Sequence, residues 1–231
     1  MHPLRIPSPA ATPADTRSVA AKARFWNRVA HQYAADPIAD LAGYEATLRR
    51  VQALLSPEHS VLEIGCGTGT TALRLAASTR QMLATDVSAE MIAIARQKLA
   101  SLTEPLPQLR FGVIDAEAPA PCSDCHDAVL AFNVLHLVSD LDLALQAVLP
   151  TLKPGGLFIS KTPCLTEMNP LIPHLLVPLM RALGKAPALL IFNPAQLLAT
   201  FKRHGLEIEA VERHGTRRKD IRVFIVARRT R

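Results

Sequence analysis

Residues 61–69 read Val-Leu-Glu-Ile-Gly-Cys-Gly-Thr-Gly, a short apolar run that closes on three glycines at alternate positions. Such a segment reads as a buried strand delivering a tight turn to a ligand. Gly65, Gly67 and Gly69 allow backbone dihedrals closed to other residues and let a ligand come nearer than a Cβ would permit. Two common glycine loops do not fit. The nicotinamide fingerprint G-x-G-x-x-G wants glycine at position 70, where the chain has Thr70, and the Gly-Lys-Ser/Thr of a Walker loop is missing. The expectation is a doubly wound α/β sheet whose first strand ends at this loop.

Four further segments follow. Met82-Leu-Ala-Thr is a short strand closing on Asp86, with a helix beginning near Ser88 and Glu90 in its first turn. Phe111-Gly-Val-Ile closes on Asp115 and Ala116, and Asp127-Ala-Val-Leu-Ala ends on Phe132 and Asn133, with His136 just beyond. Leu152-Lys-Pro-Gly-Gly-Leu-Phe-Ile-Ser turns through Pro154 and Gly155 into a fifth strand. In this order, and from about residue 20 to the carboxyl end, the chain resembles the class I S-adenosylmethionine-dependent methyltransferases of the small-molecule type.

The resemblance implies a Rossmann-like, doubly wound seven-stranded sheet, mostly parallel, with a carboxyl-terminal antiparallel hairpin and helical lid elements. It implies S-adenosyl-L-methionine as cofactor and S-adenosyl-L-homocysteine as product. Glu63 and the loop Gly65, Cys66, Gly67, Thr68 and Gly69 would hold the methionine end. Asp86 would accept from both ribose hydroxyls, with Val87 and Met91 near adenosine, although an aspartate there also suits a helix cap. Asp115 would reach the adenine amino group and Ala116 would offer its amide; the alternative for Asp115 is an ordinary loop carboxylate. Methyl transfer would occur beside Phe132 and Asn133. His136 is the expected base or orienting group, since histidine titrates near neutrality; its alternative is packing or capping the next helix. Tyr33, in the helix that precedes the core, would turn its hydroxyl toward cofactor or substrate, with core packing as its alternative.

Length and composition suit one domain: 231 residues, 49% apolar and only 4% aromatic, leave little for base-stacking platforms. The reading divides the chain into a proline-rich disordered arm at 1–16 and a methyltransferase domain at 17–231. Within the domain, 17–55 form a helical cap broken at Asp36-Pro37 and 162–193 form an inserted lid. Leu171, Ile172, Leu175, Leu176 and Val177, with Leu189 to Phe192, exceed what a solvent-facing connection needs. They predict the roof of an apolar pocket, or else a homodimer interface or a contact with a membrane surface. No stretch is long and uninterrupted enough to span a bilayer, and with no signal sequence visible the expected location is the cytoplasm.

Cys122-Ser-Asp-Cys125-His126 matches the spacing of haem attachment and of dithiol chemistry. A structural zinc would want two further ligands and only Cys66 and Cys164 remain, so the segment reads as a plain loop and no metal is expected. Formal charge is +6, concentrated from Arg213 to the carboxyl end. That leaves RNA-directed methylation by the basic hairpin as a second reading. Against it, the chain has Phe132-Asn-Val-Leu where nucleic-acid amino-methylases carry Asn/Asp-Pro-Pro-aromatic. A cofactor-binding protein without catalysis is the third.

Overall fold

The computed structural model describes residues 13–118, 122–164, 166, 189–216 and 222–230. Five strands, all but the third and fourth separated by a described helix, precede a closing hairpin. β1 spans Ser60–Ile64, β2 Gln81–Asp86, β3 Leu109–Val113, β4 His126–Phe132, β5 Leu152–Thr162, β6 Leu206–His214 and β7 Arg222–Arg229. Among the described residues they form one sheet in the order β3-β2-β1-β4-β5-β7-β6. β1 to β5 run parallel, and β7 lies antiparallel to both β5 and β6. The order reverses between β1 and β4, so the crevice of this sheet opens at their carboxyl ends, the place where open α/β sheets take ligands.

All five residues of β1 are buried, as expected of a strand covered on both faces. Strand side chains alternate between faces. One set, Val61, Ala128, Leu130, Ile159 and Phe224, packs under helices α2 (Leu41–Gln52), α3 (Thr70–Leu75) and α4 (Ala89–Ala100) through Leu48, Leu75 and Ile92. The other set, Leu62, Val129, Phe158 and Ile225, packs under α5 (Leu141–Val148) and α6 (Pro194–Arg203) through Leu145 and Phe201. Glu63 and Asp86 share the first face by parity, which turns both acids toward the amino-terminal helices.

The helix preceding the core, α1, spans Pro13–Ala35. It begins inside the arm expected to be disordered, at Pro13, a residue type that suits a helix's first turn. Its amino-terminal neighbours, 1–12, lie outside the described residues. The break at Asp36-Pro37 is where expected, and Asp40 caps α2 by accepting from the Gly43 amide at 3.0 Å. β5 is longer than its apolar run: its register with β4 jumps between His126 and Ala128, so Lys153 to Gly156 bulge out with Gly155 at φ +77°. Leu171 to Met180 of the expected lid also fall outside the described residues. Phe192 at its far end is buried, and the Leu190 amide donates to the His136 carbonyl at 2.8 Å. Among the described residues no helix is long and apolar enough to cross a membrane.

Candidate functional site

The loop after β1 has Gly65, Gly67 and Gly69 at φ +65°, +54° and +75°, the left-handed region open chiefly to glycine. It closes on itself through Gly69 N to the Cys66 carbonyl at 3.0 Å and is tied to β2 by Cys66 N to the Thr85 carbonyl at 2.9 Å. Space around the three differs. A Cβ on Gly69 would press on Phe111 Cζ at 2.7 Å and on Ala95 at 2.9 Å, and one on Gly65 would strike Val134. One on Gly67 would meet only Tyr33 Cε1, at 3.7 Å. Gly65 and Gly69 serve close packing, whereas Gly67 faces the crevice.

Asp86 terminates β2 and braces this loop: its Oδ2 accepts from Gly67 N at 3.0 Å and its Oδ1 from Ser88 N at 2.8 Å. Ser88 then caps α4 by accepting from Met91 N. The helix cap is therefore Ser88 and not Asp86, which braces the capping residue's own amide, and each Asp86 carboxylate oxygen keeps a second lone pair for a ligand. Burial lifts the Asp86 carboxyl against the Ser88, Gly67 and Val87 amides that favour its charge. Beneath the loop, Glu63 is 2% exposed and its Oε2 has no hydrogen-bond partner. Burial first, and Asp86 second, push its carboxyl up to about 8. Two acids side by side with an orphaned buried oxygen form a site prepared for a cation.

Helix α1 lies across the crevice. Ala30 packs on Met91 and Ile94 of α4, and Asn27 Oδ1 accepts from Ser88 Oγ at 2.7 Å. Lys22 reaches Asp115 at 2.7 Å and also bonds Glu117, while Ser18 bonds Ser139 at 3.0 Å. Burial pulls the Lys22 ammonium down, but the hydrogen bonds to Asp115 and Glu117 outweigh it and the net shift is upward. Tyr33, on the same helix, is 54% exposed beside Gly67.

At the end of β4, Asn133 takes φ +53°, a conformation asparagine tolerates better than most, with its amide donating to the Lys161 carbonyl at 2.7 Å. His136 follows. Burial first, then the Arg222 charge, lower its imidazole to about 4, and its buried Nδ1 has no partner. It is neutral at physiological pH.

The carboxyl ends of β1 to β4 thus bring Glu63, Gly65 to Gly67, Gly69, Asp86, Val87, Asp115, Ala116, Phe132, Asn133 and His136 to one edge of the sheet, with Tyr33 beside Gly67. Two predicted residues turn elsewhere. Met91 is fully buried between α1 and α4, and Thr68 is buried with its hydroxyl accepting from Lys98 Nζ at 2.9 Å. Residues the sequence did not single out also appear: Lys22 and Glu117, and Lys161 at the end of β5. Lys161 is 9% exposed, donates to Thr47 Oγ1 at 2.8 Å, and is lowered to about 8, chiefly by burial and then by Arg222. A lysine closely following the apolar run Leu157 to Ile159 was the available signal.

The segment before β4 departs from the plain loop expected of it. Cys122 and Cys125 are joined as a disulfide with Cα atoms 6.2 Å apart, brought together because Asp124 adopts φ +49°.

Alanine in place of Asp86 removes two loop anchors and any ribose acceptor. Affinity for S-adenosylhomocysteine is expected to fall by about 1–3 kcal/mol, roughly 5- to 150-fold. Isothermal titration measures it, and an unchanged affinity would leave Asp86 as a brace of the loop and of Ser88 alone.

Residues 62–158 match the Methyltransf_12 family, a methyltransferase domain. A ubiquinone biosynthesis O-methyltransferase from Brucella ovis is 33% identical over 101 residues, 44% of this chain and 40% of that protein. Methylphloroacetophenone synthase from Cladonia uncialis is 31% identical over 118 residues, 47% of this chain and 4% of the synthase. The chain therefore spans well under half the length of these curated relatives. Among solved structures, geranyl diphosphate C-methyltransferase from Streptomyces coelicolor A3(2), in complex with Mg2+, geranyl diphosphate and S-adenosyl-L-homocysteine, superposes with a TM-score of 0.69. That match covers 97% of this chain and 100% of the other at 15% identity, a likeness of fold.

Proposed function

We propose that the chain, whose residues 62–158 match a methyltransferase domain, is a class I S-adenosylmethionine-dependent methyltransferase that methylates a small, apolar or aromatic acceptor by direct in-line transfer. The observation that carries the reading is the roofed crevice. α1 closes over it through Lys22, Asp115 and Glu117, which suits a small molecule better than a duplex. The basic carboxyl end, the ground for RNA, is partly engaged within the chain: Arg228 bonds Glu209 at 2.5 Å and Arg229 bonds Asp124 at 2.6 Å.

The residues present fit S-adenosylmethionine. Glu63 has an unsatisfied buried oxygen for a cation, Gly67 leaves open the space a Cβ would fill, and Asp86 has spare lone pairs for a diol. Asp115 would share its carboxylate between Lys22 and an adenine amino group. When bound, this cofactor supplies a methyl group already activated on a sulfonium. The chain is then left to align the acceptor, exclude water and accept a proton where one is lost. His136, lowered to about 4, is a weak base at neutral pH, so its role is to orient the acceptor by accepting a hydrogen bond. The apolar residues Leu189 to Phe192, tied to the His136 carbonyl through Leu190, favour a lipophilic acceptor.

The test is transfer of labelled methyl from S-adenosylmethionine to a panel of prenylated phenols, β-ketoacyl thioesters and unmodified RNA. Label on a small acceptor, with turnover lowered by His136→Gln at unchanged S-adenosylhomocysteine affinity, is the expected result. Label on RNA alone would overturn the acceptor class.

A further inference from the structure

Cys122, Cys125 and His126 lie at the amino-terminal edge of the sheet, where β1 and β4 begin, and the glycine loop leaves the opposite end of β1. Their ligand atoms all fall within 4.8 Å of one another. We propose that, with its sulfurs reduced, this group is a binding site for a soft divalent transition-metal ion of the zinc class.

The loop that carries the sulfurs is held in place. Asp124 N donates to the Pro150 carbonyl at 2.8 Å, Cys125 N to the Thr151 carbonyl at 2.9 Å, and Arg229 grips the Asp124 carboxylate at 2.6 Å. His126 is the first residue of β4 and is 7% exposed. Its Nδ1 lies 3.1 Å from Ser60 Oγ, which also accepts from Gln81 Nε2 at 2.8 Å. That bond leaves Nε2 directed at Cys122 Sγ, 4.0 Å away. A ring nitrogen fixed by an outer hydrogen bond, with the other aimed at two sulfurs, is the arrangement by which proteins orient a histidine ligand. Two thiolates and an imidazole select zinc or cobalt over magnesium or calcium.

Three protein ligands leave a position for solvent. The adjacent Asp127 is already committed, with Oδ1 to Lys153 Nζ at 2.6 Å and Oδ2 to Ser60 N at 2.8 Å. Cys66 and Cys164 are buried elsewhere and are not part of the group. A cavity of about 40 Å³ opens beside Cys122 and His126, so the sulfurs have room to part. One of the two further ligands whose lack made the segment read as a plain loop is thus supplied by its own histidine, and solvent takes the other position. The disulfide and the metal site exclude each other. Reduction adds two electrons and two protons across the S–S bond to give two thiols, and metal binding then releases the thiol protons.

The experiment reduces the whole protein with a phosphine, which leaves as the phosphine oxide, and titrates it anaerobically with Co2+. The expected result is one equivalent bound, with a thiolate-to-cobalt charge-transfer band and visible bands of tetrahedral cobalt, all displaced by Zn2+. Cys122→Ser should abolish the charge-transfer band. Ser60→Ala, which keeps all three ligands, should weaken cobalt binding about 10- to 100-fold. Zinc should also shield Cys122 and Cys125 from iodoacetamide, read by peptide mass. Absence of the band in reduced, folded protein would overturn the proposal, as would its persistence in Cys122→Ser or alkylation of both cysteines at the unprotected rate.

Discussion

Leucine at position 67 is expected to abolish cofactor binding and leave the fold standing, while leucine at position 69 is expected to damage the fold itself. Both sites have positive φ, so either replacement carries a strain of about 1–2 kcal/mol. They differ in what the new side chain meets. At position 67 its Cβ finds only Tyr33 at 3.7 Å, and the rest of it fills the crevice. Binding of S-adenosylhomocysteine should fall at least about a hundredfold, equivalent to about 2.7 kcal/mol. At position 69 the Cβ drives into the Phe111 ring at 2.7 Å and Ala95 at 2.9 Å, and overpacking adds about 1–3 kcal/mol of destabilisation. Urea midpoints and calorimetric titration of the two variants separate these outcomes. Equal affinity in Gly67→Leu and the parent would place the ligand elsewhere.

The second large effect is on pH. Glu63 is pushed up to about 8 by burial and by Asp86, whereas an unfolded glutamate titrates near 4.3. Between those values the folded protein keeps a proton that the unfolded chain has lost. Stability of the ligand-free protein therefore declines as pH rises through that window and levels off above about 8. A bound cation reverses the preference, so binding expels the proton, and affinity for S-adenosylmethionine should rise by up to about tenfold per pH unit between about pH 6 and 7.5. Titrations in buffers of different ionisation enthalpy read the released proton directly. Glu63→Gln should flatten both profiles. An affinity independent of pH in the parent would mean that Glu63 does not face the cation.

The parts legible in the sequence were those fixed locally. Val61 to Gly69 announced strand and loop because a doubly covered strand must be apolar at consecutive positions and the turn needs glycine at fixed offsets. Asp86, Asp115 and Asn133 could be singled out as candidates because each stands at or just past the end of an apolar-rich run. What was not legible depends on partners remote in the chain. Lys22 meets Asp115 across 93 positions, and Lys161 meets Thr47 across 114. Thr68 and Met91 have the right neighbours in sequence, but the packing of α4 against the loop and α1 decides which way they turn. Cys122 and Cys125 were ambiguous for a related reason: spacing alone does not reveal that Ser60, at the start of another strand, holds His126 toward them.

The measurement that bears most directly on the central claim is calorimetric titration of the purified protein with S-adenosylmethionine, S-adenosylhomocysteine and, separately, NADH. One-site micromolar binding of both sulfur compounds, with none of NADH, is the predicted result. A folded sample that binds neither sulfur compound would contradict the assignment of Glu63, the glycine loop and Asp86 as the cofactor's cradle.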